Sequence, residues 1–213
     1  KTVVLFHDDV STKNGHIADK RYLKELIQIS KLKSLFQASE KIRTALLRVK
    51  NKYQFKTPQN LVFAESEPER KFIDNLLECF DKVAGWVKAS RGFYQIEYVV
   101  RDGQYSETSR FTPDFFIQLT QKKRKPTRVV VAEVKMDGDV SDENVAKLVY
   151  ARKHFDLINS KQDKQVYDFK FVSPESYSQF FEHLRNDKLH AFKSTLEAEL
   201  EARLKQMNAQ VAQ

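Results

Sequence analysis

Two short stretches concentrate the residues whose types and spacing can do chemistry. Arg110 to Thr120, "RFTPDFFIQLT", alternates apolar and polar residues like a half-buried strand, yet holds Pro113 and Asp114. Proline cannot donate a ladder hydrogen bond, and a carboxylate in a strand must be solvated or paired. Arg128 to Lys135, "RVVVAEVK", is an apolar β-branched run that ends in Glu133 and Lys135, two apart and so on one face. If the two strands pair, Asp114 meets Glu133 and Lys135 at one end of a sheet. Glu69, on the inward stripe of a preceding helix, adds a third carboxylate. Three buried carboxylates repel one another unless a cation neutralises them. Oxygen-only ligands that keep waters suit Mg²⁺ or Mn²⁺ rather than zinc. A lysine beside metal-bound water can orient it and stabilise charge building on a phosphate, which is what phosphodiester hydrolysis requires.

The elements that must position these groups are readable in part. Tyr22, Leu23, Leu26, Ile29, Leu32 and Phe36 predict a helix over 19–36, and Ile42, Leu46, Val49 and Tyr53 a second one starting after Ser39. Pro58 closes that region. Ser66-Glu67-Pro68-Glu69 is a capping box with proline in the first turn, opening a helix whose apolar face is Ile73, Leu76, Leu77 and Phe80. Strands are expected over 93–100, 111–120 and 128–135, the last two joined by "QKKRKPT" as an antiparallel hairpin. A helix then begins at Ser141 or Asp142, with Val145, Leu148, Val149, Phe155 and Ile158 inward. A strand over 166–172 and helices over 174–186 and 188–208 follow, the last striped by Leu189, Phe192, Leu196, Leu200 and Leu204. The fold class expected is α/β, a mixed central sheet with flanking helices, preceded by a helical region and followed by C-terminal helices. The division expected is 1–63, 64–186 and 187–213.

Composition narrows the classes. With 213 residues, 41% of them apolar and 31% charged, the chain can build a real core and is too rich in large apolar residues for disorder. No apolar run approaches the roughly 18 residues a membrane span needs. Cys79 is the only cysteine, which excludes an intrachain disulfide and a Cys-based zinc site and points to a reducing, cytoplasmic compartment. The opening "KTVVLFHDD" has no initiator Met and no secretory pattern, and reads as a cut within a larger protein. No GxxxxGK phosphate loop is present. Residues 1–64 hold 13 Lys/Arg against 5 Asp/Glu, whereas 65–213 hold 24 against 24. The basic surplus therefore lies in the N-terminal third, where it suits a polyanion or a solvated helical surface equally.

Pro113-Asp114, 18 residues, then Glu133-Val134-Lys135 resembles the PD-(D/E)xK nuclease superfamily. The predicted order from the helix of Glu69 to strand 166–172 is similar to that family's αβββαβ restriction-endonuclease-like core. The segments "ESEPERKFI", "GWVKASRGFYQIEY", "FTPDFFI" and "VVVAEVK" most resemble the C-terminal nuclease domain of helicase-linked restriction enzymes such as the type III restriction subunit. The resemblance covers roughly residues 64–185. It implies Asp114 and Glu133 as metal ligands with the Val134 carbonyl, Lys135 as catalytic lysine, and Glu69 as a helix-borne carboxylate holding the metal, often through water. It further implies Mg²⁺ with Mn²⁺ as substitute, DNA as substrate, and a helicase or ATPase region outside this chain serving restriction or defence.

Lys122, Lys123, Arg124 and Lys125 can clamp a DNA backbone or simply form a solvated hairpin tip; Lys147, with Tyr150 and Lys153, can reach DNA or form a polar helix face. His7-Asp8-Asp9 lacks a second histidine at ligand spacing and reads as a loop. Trp86, Phe93 and Tyr94 read as core. The alternative to the nuclease is a catalytically inactive module of the same fold, binding nucleic acid or protein.

Overall fold

A computed structural model describes residues 5–6, 46–48, 59–64, 66–79, 81–89, 94–102, 105–120 and 126–211. Ser66 caps α1 (Glu67–Glu78), its hydroxyl accepting from the Glu69 amide, and Pro68 sits in the first turn as its missing N–H allows. Phe72, Ile73 and Leu76 bury the inward stripe. The central layer is a four-stranded sheet in the order β4-β7-β8-β9. Its strands are β4 (Val83–Lys88), β7 (Phe115–Leu119), β8 (Thr127–Val134) and β9 (Gln165–Val172). β4 runs antiparallel to β7, and β7 antiparallel to β8 as the hairpin reading expected; β8 and β9 are parallel. The parallel pair needs a crossover, supplied by α2 (Asp142–Ser160), whose N-cap is Ser141.

The two faces of β8 feed two cores, as strand alternation requires. Val130, Ala132 and Val134 pack with Phe72, Ile73 and Leu76 of α1 and with Phe180, Phe181 and Leu184 of α3 (Tyr177–Arg185). Val129 and Val131 pack with Val145, Leu148 and Phe155 of α2, and with Leu196 and Leu200 of α4 (Thr195–Val211). A two-stranded sheet, β5 (Ile96–Asp102) and β6 (Tyr105–Phe111), lays Ile96, Tyr98 and Phe111 on that second core. The chain thus has a mixed α/β fold. None of its described helices is long and apolar enough to cross a membrane.

Several boundaries differ from those expected. The strand expected over 111–120 is divided: Phe111 ends β6, Thr112 to Asp114 carry the chain between sheets, and β7 starts at Phe115. The strand expected over 93–100 is β5, which pairs with β6 instead of entering the central sheet. β4 takes the outer place; Gly85 and an irregular register between Val83 and Gly85 break the alternation that would announce it. β6 is hidden in sequence because "SETSR" is polar, being the exposed side of a hairpin. No continuous helix spans 188–208: a 3₁₀ turn at Leu189–Ala191 is followed by extended Phe192, and α4 starts only at Thr195.

Toward the N-terminus, β1 (Leu5–Phe6), β3 (Gln59–Phe63) and β2 (Leu46–Arg48) form a three-stranded antiparallel sheet. Leu46 to Arg48 are therefore strand, not helix, their main chain being paired with β3. The remainder of both predicted N-terminal helices, His7 to Asp9 and Phe93 lie outside the described residues. Trp86 is core, 4% exposed.

Candidate active site

The apolar runs of β7 and β8 fix one register, with Phe115 opposite Ala132, and Asp114 and Glu133 follow at that end of the pair. Pro113-Asp114 belongs to neither ladder. Its backbone is used instead at the edge, where the Asp114 carbonyl accepts from the Ala89 amide at 2.8 Å. The Asp114 carboxylate accepts from the Val134 amide at 2.8 Å, so the aspartate in the strand-like stretch is held by the neighbouring strand. Lys135 follows β8, its amide bonded to the Val172 carbonyl at 3.0 Å and its ammonium 2.7 Å from Glu133 Oε1.

Glu133 is 3% exposed, and its Oε2 has no hydrogen-bond partner among the described residues. A buried carboxylate oxygen left so is costly and marks a place where a ligand or cation fits. Burial raises the Asp114 carboxyl well above the usual range, with Glu133 and Glu69 adding repulsion against the pull of Lys135 and Lys88. Burial raises Glu133 too, opposed by Lys135 and Lys147. At Lys135 burial pulls the ammonium down, but Glu133 and Asp114 outweigh it and keep the group charged. Three carboxylates and the ammonium groups of Lys135, Lys88 and Lys147 thus act on one another in one buried cluster.

Glu69 is buried on the inward stripe, as expected, and close enough to Asp114 to raise its carboxyl. It lies on α1, and its Oε2 is 3.3 Å from Nζ of Lys88, with both side chains almost fully buried. Lys88 shares the parity of Trp86 and so faces the α1 core, whereas Glu133 shares the parity of Val129 and Val131 on the α2 side. Among the described residues no group of three His, Cys, Asp or Glu side chains is arranged to enclose a metal ion. The tight core of the site is Asp114, Glu133 and Lys135, with Glu69 and Lys88 behind it. Tyr177 stands nearby, donating to the Pro68 carbonyl at 2.8 Å; burial raises its phenol, helped by Asp137, Asp114 and Glu69.

Lys88 is the site residue that sequence reading missed. Nothing in "GWVKAS" marks it until β4 is laid beside β7. Lys147 is turned inward, ion-paired with Glu143 at 2.7 Å and over the rings of Tyr98 and Phe111, so it supports Glu133 electrostatically. Tyr150 and Lys153 line an open cleft of about 570 Å³ between α2 and β5, with the Lys153 ammonium over the Tyr150 ring. Lys122 to Lys125 lie outside the described residues.

An all-oxygen set with an orphaned buried carboxylate oxygen fits a hard divalent cation that keeps waters. With this geometry in hand, comparison with family models, curated proteins and solved structures gives no match for the chain.

Proposed function

We propose that this chain carries a metal-dependent endonuclease domain of the PD-(D/E)xK kind, hydrolysing DNA phosphodiester bonds. The observation that carries the reading is the cluster of Asp114, held by the Val134 amide at 2.8 Å, with Glu133 beside it and Lys135 on Glu133 at 2.7 Å. The order α1, β4, β7, β8, α2, β9, with the β5–β6 hairpin inserted between β4 and β7, supports a restriction-endonuclease-like core around it. The N-terminal basic surplus supports a polyanionic substrate. The likeness to helicase-linked restriction enzymes supports a role in restriction or defence beside a helicase or ATPase region, in the cytoplasm.

Asp114, Glu133 and the Val134 carbonyl would hold Mg²⁺, or Mn²⁺ in its place. That ion supplies a Lewis acid for a phosphate oxygen and lowers the pKa of a bound water. The chain's own residues do the rest. The Val134 amide fixes the Asp114 carboxylate, Glu133 keeps one oxygen on Lys135 and offers the other, and Lys135 stays protonated to meet charge developing on the scissile phosphate. An inactive module would be favoured by loss of this set, and all three residues are intact.

The test is incubation of supercoiled plasmid with the protein and MgCl₂, with and without EDTA, for wild type and Lys135→Ala. Nicking that needs the divalent ion and the lysine is expected. Cleavage that survives EDTA, or equal cleavage by Lys135→Ala, overturns the reading.

A further inference from the structure

We propose that Lys88 is a built-in countercharge that keeps Glu69 from recruiting a second ion, so that the site binds a single divalent ion between Asp114 and Glu133. This rests on the nuclease reading and settles the stoichiometry that reading leaves open.

Three observations lead there. First, Glu69 and Lys88 form a buried ion pair at 3.3 Å, with side chains only 12% and 7% exposed. An ion that used Glu69 directly would have to displace an ammonium with little water to receive it. Second, strand alternation puts Lys88 on the α1 side of the sheet and Glu133 on the α2 side, with Asp114 at the sheet end where both charges reach it. Lys88 and Lys135 therefore flank Asp114 from opposite sides. Third, Glu133 Oε2 is buried with no hydrogen-bond partner among the described residues, and a single cation held by Glu133 and Asp114 would complete it. Lys88 is thus a positioning residue: it neutralises Glu69 and fixes the end of β4 against Asp114, whose carbonyl accepts from Ala89.

The experiment is calorimetric titration of metal-free protein with MnCl₂, with thermal unfolding in EDTA alongside. Three forms are compared: wild type, Lys88→Met, and the charge-conserving double variant Lys88→Met/Glu69→Gln. Wild type is expected to take up one Mn²⁺. Lys88→Met should unfold at lower temperature in EDTA, take up two, and regain stability on Mn²⁺ because the ion binds the folded state. The double variant should return to one Mn²⁺ with affinity within about threefold of wild type, since it removes pair and countercharge together.

Two ions in wild type overturn the inference while leaving the nuclease reading standing. One ion in Lys88→Met also overturns it. Should Lys88→Met not fold, the double variant decides: an affinity loss of about tenfold or more makes Glu69 a ligand and overturns the inference. No Mn²⁺ uptake by wild type overturns the metal-dependent reading itself.

Discussion

Glu133 at the sheet end and Glu197 at the start of α4 are equally hidden, 3% and 1% exposed, and burial raises both carboxyls above their usual range. Their surroundings differ. Glu197 accepts from Arg152 at 2.9 Å, its other oxygen faces the Ser194 amide at 3.5 Å, and its own amide donates to the Ser194 hydroxyl. That is a complete capping box, placed where the helix dipole favours an anion. Around it Arg152 also binds Glu201, Lys193 pairs with Glu201, and Lys170 donates to the Phe192 carbonyl. Glu133 keeps one oxygen on Lys135 and leaves the other without a partner. Burial alone does not separate a structural charge from a chemical one. Between these two, the difference is whether the described residues complete the hydrogen bonding.

The largest effect that sharpens this contrast is on cleavage. Lys135→Ala and Asp114→Asn are expected to lower the plasmid nicking rate by about 10³-fold or more, as loss of an electrostatic or ligand group does. Glu197→Gln should leave it within about twofold, since that carboxylate is bonded within the fold by Arg152 and the Ser194 cap. A comparable rate loss in Glu197→Gln, measured on folded protein, would break the distinction.

Stability should respond in the opposite sense. Arg152→Met strips the partner from a buried carboxylate and is expected to cost about 2–3 kcal/mol in urea unfolding, a value reduced because Arg152 is itself partly exposed. Asp114→Asn should instead stabilise the metal-free protein by about 1 kcal/mol, a melting temperature higher by roughly 2–4 °C. It relieves the repulsion with Glu133 and Glu69 that accompanies burial of the acid. A lower melting temperature for Asp114→Asn in EDTA would mean that the bond to the Val134 amide outweighs the repulsion.

The smallest effect lies away from both regions, at His154, whose ring nitrogen Nε2 is 2.5 Å from the Tyr94 hydroxyl oxygen. Burial holds this imidazole below its usual pKa of about 6.5, so the folded chain binds its proton less readily than the unfolded chain. The stability this gives is full above the unfolded value and is lost as pH falls through it toward the folded one. Melting temperature should drop between about pH 7.5 and 5.5, and the drop should shrink in His154→Phe. An identical slope in the variant would assign the pH response elsewhere.

Where the sequence pattern was strong, the structure follows it. The Ser66 cap, the pairing of β7 with β8, the Ser141 cap and β9 all sit at periodic or capped stretches whose signal is local. Asp114, Glu133 and Lys135 were legible for the same reason: two strand ends and a short spacing bring them together. Lys88 was not legible, because its place depends on which strand neighbours β7, and β4 is disguised by Gly85 and an irregular register. β6 was hidden by its polar outer face. The start of α4 was marked by Ser194-Thr-Leu-Glu197, a signature overridden by the apolar stripe running through Leu189 and Phe192. Leu46 to Arg48 carried helical spacing but pair with β3, a case of tertiary context overruling a weak propensity.

The bond from the Lys135 amide to the Val172 carbonyl has a consequence for the chain's birth on the ribosome. Chains are made from the N-terminus, and parallel pairing waits for its later strand. A nascent chain that has emerged only through β8 already carries Asp114 and Glu133 on a local hairpin, but Lys135 has no β9 to tie down its main chain. The main chain that carries the Lys135 ammonium is tied down only after translation has passed Val172. Until then the growing polypeptide is an unfinished tool beside the messenger RNA that encodes it.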